Sequence, residues 1–190
     1  MRVLIVSSSL NPQSRSDRLA VLARAWLADH GHEATLIRLA DLGLPRLNPD
    51  AVYDHPGYRA AAALVASADN LILASPVYNW SPCAEMKNFI ELVGCTDARH
   101  PTPLFDKLVS FIFAAGLPHS YMAIGSLALP LMLDFRCLIN PHQAYLHNRH
   151  WEDPDTLTDK GHDKLNRMLS THVDLGTRLQ TFSVTQQWEV

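Results

Sequence analysis

Short apolar runs alternate along this chain with longer segments in which apolar residues recur at helical spacing. Val3–Val6 is a continuous apolar run that ends at a serine-rich turn, which is typical of a buried strand. Similar runs predict further strands at residues 34–39, 71–75 and 108–115, and a less regular one at 137–146 that is interrupted near Pro141.

The segments between these runs predict helices. From Asp17 onward, apolar residues at positions 19, 22, 23, 26 and 27 share one helical face, and Gly31 is placed to end that helix. Further helices are predicted at 58–68, 86–93, 120–133 and 165–179, whereas 41–57 is predicted to be an irregular connection and 76–82 a loop. This alternation indicates an α/β fold in which crossover helices cover both faces of a parallel sheet. Ligands bind such sheets at the carboxyl ends of the strands, so the loops after strands one, three and four are the candidate sites.

The length and composition suit a single domain over residues 1–190, with 182–190 as a C-terminal tail that is either disordered or docked on a partner subunit. Apolar residues make up 47% of the chain, enough for a core without metals or disulfides. Charged residues make up only 18%, which indicates either a buried oligomer interface or a surface rich in Ala, Ser and His.

The charge pattern excludes several classes of partner. A net charge of −3 without a Lys/Arg run gives no nucleic-acid footprint, and the N-terminal apolar run is too short for a signal peptide or a membrane span. The three cysteines form no CxxC motif and are odd in number, so a disulfide framework is not expected and the reducing cytoplasm is the simplest compartment.

The loop after the first strand, residues 7–16, predicts a phosphate site. It holds five serines, Asn11 and Arg15, and it leads into a helix whose first N–H groups are unpaired. Hydroxyls, an arginine and a helix N-terminus are the groups that bind a phosphate dianion. The alternative is an ordinary polar turn in which Ser14 or Ser16 caps the helix. Neither a Walker A sequence nor a G-x-G-x-x-G fingerprint occurs, which disfavours an ATPase or a Rossmann dehydrogenase.

The loop after the third strand makes the pattern specific. It reads P-x-Y-N at residues 76–79, and Lys87-Asn88 follows in the next helix. Together with the serine-rich first loop, these motifs resemble the NAD(P)H-dependent FMN reductase family, over residues 2–146. The first loop is a variant of that family's G-S-x-R-x-x-S-x-N pattern. Ser8 stands in place of its first glycine, Asn11 in place of its arginine and Ser16 in place of its asparagine.

The resemblance implies a flavodoxin-like three-layer sandwich with a five-stranded parallel sheet of order 2-1-3-4-5. It implies FMN as the cofactor and NAD(P)H as the co-substrate. The phosphate would be held by Ser9, Asn11, Ser14, Arg15 and Ser16; the isoalloxazine would be lined by Pro76, Val77, Tyr78, Asn79 and Trp80; and the other end of the flavin would be flanked by Gly116, His119 and Ser120. For Trp80, stacking on the flavin, sealing the loop and packing across a subunit boundary all remain open.

The implied function is an oxidoreductase that passes electrons from reduced nicotinamide through flavin to free flavin, a quinone or another small acceptor, as a homodimer or homotetramer. No catalytic side chain is expected, because the cofactor supplies the chemistry. The alternatives are a flavodoxin-type electron carrier, which would usually be more acidic than −3, and a cofactor-free interaction module.

Other candidate residues have simpler interpretations. The ten histidines include the pairs His30/His32 and His147/His150, but neither pair has a third ligand at metal spacing, so no metal site is predicted. The absence of G-x-S-x-G argues against a serine nucleophile. His172 is expected in the core or at an interface, and Cys83 is either a redox sensor or a buried packing residue.

Overall fold

The computed structural model describes residues 1–49, 51–97 and 100–181. Its strands are β1 (Arg2–Ser7), β2 (Glu33–Arg38), β3 (Asn70–Tyr78), β4 (Ser81–Pro82), β5 (Leu108–Ala114), β6 (Leu138–Ile139) and β7 (Ala144–Leu146). The sheet has four principal parallel strands in the order β2-β1-β3-β5, and the short strands β6 and β7 both pair with β5.

Helices cover both faces of the sheet, which confirms the three-layer flavodoxin-like sandwich. The helices are α1 (Arg15–Asp29), α2 (Pro56–Ser67), α3 (Ala84–Gly94), α4 (Gly125–Phe135) and α5 (Asp159–Leu179), with 3₁₀ turns at Leu39–Asp41, Pro118–Ile124 and Asn148–His150. One apolar cluster joins α1 and α5 to the sheet, and the other joins α2, α3 and α4 to its opposite face. Gly31 follows α1 with a φ of +78°, as expected for a residue that ends a helix.

The fifth strand is split, as the proline near its centre predicts. β6 pairs with the start of β5 and β7 with its end, and Asn140 and Pro141 lie between them. Pro141 has no N–H to donate, and the Asn140 side chain instead accepts a hydrogen bond from the His142 N–H at 2.9 Å. The predicted order 2-1-3-4-5 therefore holds, with its last strand in two pieces.

The prediction of a loop over residues 76–82 is wrong at both ends of that range, which are strands. β3 continues to Tyr78, reverses through Asn79 and Trp80, and pairs antiparallel with β4. Both turn residues have positive φ, +49° and +66°, which is the geometry of a two-residue type I′ hairpin turn. The usual sequence signal for that turn is Asn-Gly or Asp-Gly, and Trp80 in the second position concealed it.

Two further expectations concern the C-terminal tail and the capacity of the helices to span a membrane. The proposed tail, 182–190, lies outside the described residues. Among the helices described, none combines the length and apolar character needed to cross a lipid bilayer.

Candidate functional site

The first and third loops meet at the carboxyl edge of the sheet, as the parallel topology requires. Together with the start of α3 they enclose a cavity of about 540 Å³. Four predicted site residues line it, namely Ser9, Asn11, Pro76 and Tyr78, alongside Ser8, Leu10, Cys83, Ala84 and Glu85, which were not predicted.

The first loop is held in shape by its own polar groups. Asn11 donates its N–H to Ser9 Oγ at 3.2 Å, and its side chain accepts from the Gln13 N–H at 2.9 Å. Ser14 is the N-cap of α1 and accepts from the Asp17 N–H at 3.1 Å. The amides of Arg15 and Ser16 lie at the first two positions of the helix and have no intrahelical acceptor. Capping and phosphate binding are therefore compatible here, because the cap satisfies a different amide.

Hydroxyl groups surround this helix start. Ser16 is fully buried, and its Oγ lies 3.2 Å from Ser14 Oγ. Ser7 Oγ is buried and has no hydrogen-bond partner among the residues that the structure describes, and its place in the alternation of β1 puts it on the α1 side of the sheet. An orphaned buried hydroxyl is uncommon in proteins and suits a site that receives an external acceptor such as a phosphate oxygen.

Arg15 is the predicted phosphate cation, and its side chain contacts Asn148, which lies between His147 and His150, and Trp151. One guanidinium N–H donates to Asn148 Oδ1 at 2.6 Å, and Cζ lies 5.0 Å from the centre of the Trp151 ring. A guanidinium has five N–H donors, so this contact leaves donors for an anion.

The β3–β4 hairpin carries two exposed aromatic residues: Tyr78 lines the cavity, and Trp80 lies in the turn beyond it. Tyr78 and Trp80 are each 59% exposed, Asn79 is exposed and Val77 is half-buried. Ser81 Oγ lies 3.2 Å from Ser126 Oγ, which ties the hairpin to α4. Exposed aromatic rings beside a cavity suit a flat, hydrophobic ligand.

The third predicted loop reaches the same edge of the sheet but does not line the 540 Å³ cavity. Gly116 and His119 are exposed and Ser120 is half-buried. The Tyr145 hydroxyl contacts the Leu117 carbonyl and, at 3.3 Å, Ser120 Oγ. This loop therefore lies beside the end of β3, because Ala114 of β5 pairs with Pro76.

Residues 1–150 match the profile of the family described as NADPH-dependent FMN reductase. The chain belongs to this family. The match covers both loops that form the cavity, so the FMN reductase motifs and the cavity lie in the same part of the chain.

Individual relatives agree with this assignment. An FMN reductase (NADPH) from Pseudomonas putida is 33% identical over 93 residues, 49% of this chain and 47% of the relative. An NAD(P)H-dependent FAD/FMN reductase from Geobacillus thermodenitrificans is 26% identical over 96 residues, 50% of this chain and 49% of the relative. In these matches the chain spans about half the length of each curated relative.

Solved structures share the fold. A flavoenzyme NAD(P)H:(acceptor) oxidoreductase from Paracoccus denitrificans superposes with a TM-score of 0.76 at 20% identity, over 94% of this chain and 98% of that one. This similarity supports the flavodoxin-like architecture.

Two histidines near the site, His147 and His150, contribute little positive charge. Burial first, and the positive charges of Arg149 and Lys164 second, lower the pKa of His147. Burial and His147 likewise lower the pKa of His150. Both side chains are therefore neutral at pH 7. Arg15 supplies the positive charge of the predicted phosphate loop. No group of three His, Cys, Asp or Glu suitable for a metal ion occurs within the described ranges.

Several residues at the site were not among those predicted to bind the flavin. Ser8 and Cys83 face each other across the cavity wall, Glu85 lines it from the first turn of α3, and Asn148 contacts Arg15. The position of Cys83 just before a predicted helix was a usable signal. Nothing local marked Asn148, because it is 133 residues from Arg15.

Proposed function

We propose that this chain binds FMN in the 540 Å³ cavity and catalyses electron transfer from a reduced nicotinamide nucleotide to a small acceptor. The observation that carries the proposal is the meeting of Ser9 and Asn11 with Pro76 and Tyr78 around one cavity. The family profile supports it independently of the geometry.

Each part of the site has a role in this proposal. Ser9, Ser14 and Ser16 hold the FMN phosphate together with the first amides of α1, and Arg15 neutralises its charge. Pro76, Val77 and Asn79 contact the isoalloxazine, and Tyr78 and Trp80 exclude water from one of its faces. Gly116, His119 and Ser120 bound its far end, where the absence of any atom within 4 Å of a Cβ built on Gly116 leaves room for a ring.

The protein's contribution is position and electrostatics. FMN, when bound, supplies hydride acceptance and onward electron transfer. The open side of the cavity admits the nicotinamide and then the acceptor, so we propose that free flavin, a quinone or another small molecule is reduced at the same place. A flavodoxin-type carrier is disfavoured by the net charge of −3, because carriers rely on strong acidity to find basic partners.

We further propose a homodimer or homotetramer in the cytoplasm, formed by one domain over residues 1–190. α4 supports the assembly, because Leu129, Met132 and Leu133 are 57%, 49% and 61% exposed on one helical face. The low charged fraction of 18% supports a covered surface in the same way.

One experiment tests the activity. The purified protein is reconstituted with FMN, and NADPH and NADH oxidation are followed with FMN, a benzoquinone and an azo dye as acceptors. Flavin binding with nicotinamide oxidation is the expected result. Binding without oxidation would favour an electron carrier, and the absence of flavin binding would favour an interaction module.

A further inference from the structure

Cys83 lies where the parts of the candidate site converge. It is 3% exposed, it precedes α3 as its N-cap residue, and it lines the cavity. Its Sγ is 3.0 Å from Ser8 Oγ, and the thiol is also placed to donate to the Ser8 carbonyl at 3.4 Å. The thiol therefore holds the loop after β1, which carries the predicted phosphate ligands.

The same residue is bonded to the end of β3. The Cys83 N–H donates to Ser75 Oγ at 3.1 Å, and Ser75 Oγ lies 3.5 Å from Cys83 Sγ. Ser75 Oγ in turn donates to the Pro76 carbonyl at 2.9 Å, at the base of the hairpin. We call Ser8, Ser75 and Cys83 the Cys83 cluster. It joins the phosphate loop, the hairpin and α3 through buried hydrogen bonds.

The Cys83 cluster also accounts for a departure from the family's sequence pattern. Ser8 stands where that pattern has a glycine, so this chain carries a side chain in the wall of the cavity. Ser8 Oγ donates to the Ala74 carbonyl at 3.1 Å and contacts Cys83 Sγ, so the added hydroxyl is fully used. A glycine has no side chain, so the contact with Cys83 depends on the serine of this chain.

We propose that Cys83 is a positioning residue for flavin binding, which fixes the phosphate loop relative to the hairpin through Ser8 and Ser75. The inference rests on the proposed function. A ligand that binds at two places gains affinity when the two places are held at the correct separation beforehand, because less order has to be imposed on binding. FMN uses both the loop and the hairpin, whereas riboflavin lacks the phosphate and uses chiefly the hairpin.

The test compares FMN and riboflavin dissociation constants, measured by flavin fluorescence, in wild type, Cys83→Ala, Cys83→Ser and Ser8→Ala. Cys83→Ala and Ser8→Ala should each weaken FMN about tenfold, the size of one net hydrogen bond, and riboflavin less than about twofold. Cys83→Ser retains a hydroxyl for Ser8 and Ser75, so it should restore most of the FMN affinity. The double variant, Ser8→Ala with Cys83→Ala, should lose less FMN affinity than the sum of the two single losses, because both single variants remove the contact between Ser8 Oγ and Cys83 Sγ.

Cys137→Ala is the matched control. Cys137 is also a buried cysteine, 5% exposed, and its Sγ donates to the Leu104 carbonyl at the opposite edge of the sheet. Its removal should leave both flavin constants unchanged even if unfolding occurs at a lower denaturant concentration. Unfolding measured on every variant separates loss of fold from loss of positioning.

The outcomes separate the two proposals. Absence of FMN binding by the wild type would overturn the proposed function and this inference with it. Wild-type binding that Cys83→Ala leaves unchanged, or that it weakens equally for FMN and riboflavin, would overturn the positioning role alone. A Cys83→Ser variant as weak as Cys83→Ala would likewise contradict the role of the hydrogen bonds.

Discussion

At the scale of single residues, Arg15 is the proposed cation for the flavin phosphate. Its guanidinium is held by Asn148 at the edge of the site. Arg15→Ala should weaken FMN by about tenfold to a hundredfold, the range for losing a hydrogen bond to a charged group, and riboflavin hardly at all. Equilibrium titration of both flavins measures the difference.

Arg24→Ala controls for the lost charge, since Arg24 is an exposed arginine on the same helix. Arg24→Ala should leave the FMN and riboflavin dissociation constants nearly unchanged, because it removes only an exposed surface charge. Equal losses of FMN and riboflavin in Arg15→Ala would show that Arg15 does not contact the phosphate.

His172 is a second residue of interest, because its burial should affect how the free energy of unfolding depends on pH. It is fully buried in α5, where Nδ1 lies 2.8 Å from Ser110 Oγ, and Nε2 has no hydrogen-bond partner within the described part of the chain. It therefore lies in the core, one of the two places expected for it. Burial lowers its pKa to about 3, from the usual 6.5. The folded protein therefore keeps His172 neutral at pH values at which the unfolded chain protonates it.

The sign of the pH dependence follows from this difference. Between pH 6.5 and 3 the unfolded state binds the extra proton, so the free energy of unfolding falls as the pH falls, by up to about 1.4 kcal/mol per pH unit. Above pH 6.5 the contribution is complete. His172→Asn should remove this part of the slope in urea unfolding at pH 4 to 6. His162→Asn, at an exposed position on the same helix, should keep the wild-type pH slope. An unchanged slope in His172→Asn would show that His172 is not the source of this pH dependence.

At the scale of elements, the β3–β4 hairpin has an unfavourable residue in its turn. Trp80 has a φ of +66°, a conformation that costs a non-glycine residue about 1–2 kcal/mol. Trp80→Gly should therefore raise the free energy of unfolding by up to about 1 kcal/mol, because the relief of strain exceeds the entropy cost of a glycine. Thermal unfolding measures the change.

Trp80→Ala provides the comparison, because it removes the same ring but keeps a Cβ. It should be less stable than Trp80→Gly. Equal stability of the two variants would show that the positive φ of Trp80 does not strain the turn.

At the scale of the whole molecule, the exposed face of α4 predicts association. Leu129 and Leu133 are both more than half exposed and lie one helical turn apart. We expect the wild type to sediment as a dimer or tetramer, and Leu129→Glu with Leu133→Glu to shift it towards the monomer. Val21→Glu, at an exposed apolar position on α1, should leave the assembly intact. A monomeric wild type would contradict the proposed oligomer.

The sequence by itself determined the elements and the edge of the sheet at which the site forms. Periodicity reports which side of a segment is apolar, and that is a local property, so β1, β3, β5 and the helices between them were predicted close to their observed bounds. Parallel strands then bring the ends of β1 and β3 together, because crossover connections leave all carboxyl ends at one edge. The loops after β1 and β3 could be assigned to one site on that ground, and the family resemblance pointed to Ser9 and Tyr78 within them.

Tertiary structure alone decided which side chains meet there. Ser8 contacts Cys83 across 75 residues, and Arg15 contacts Asn148 across 133. Such pairs depend on how α1, α3 and the end of β7 pack against the sheet, and no local pattern encodes that packing. The hairpin at Asn79 and Trp80 was missed for a related reason: pairing with β4 imposes a turn that the local residues do not favour.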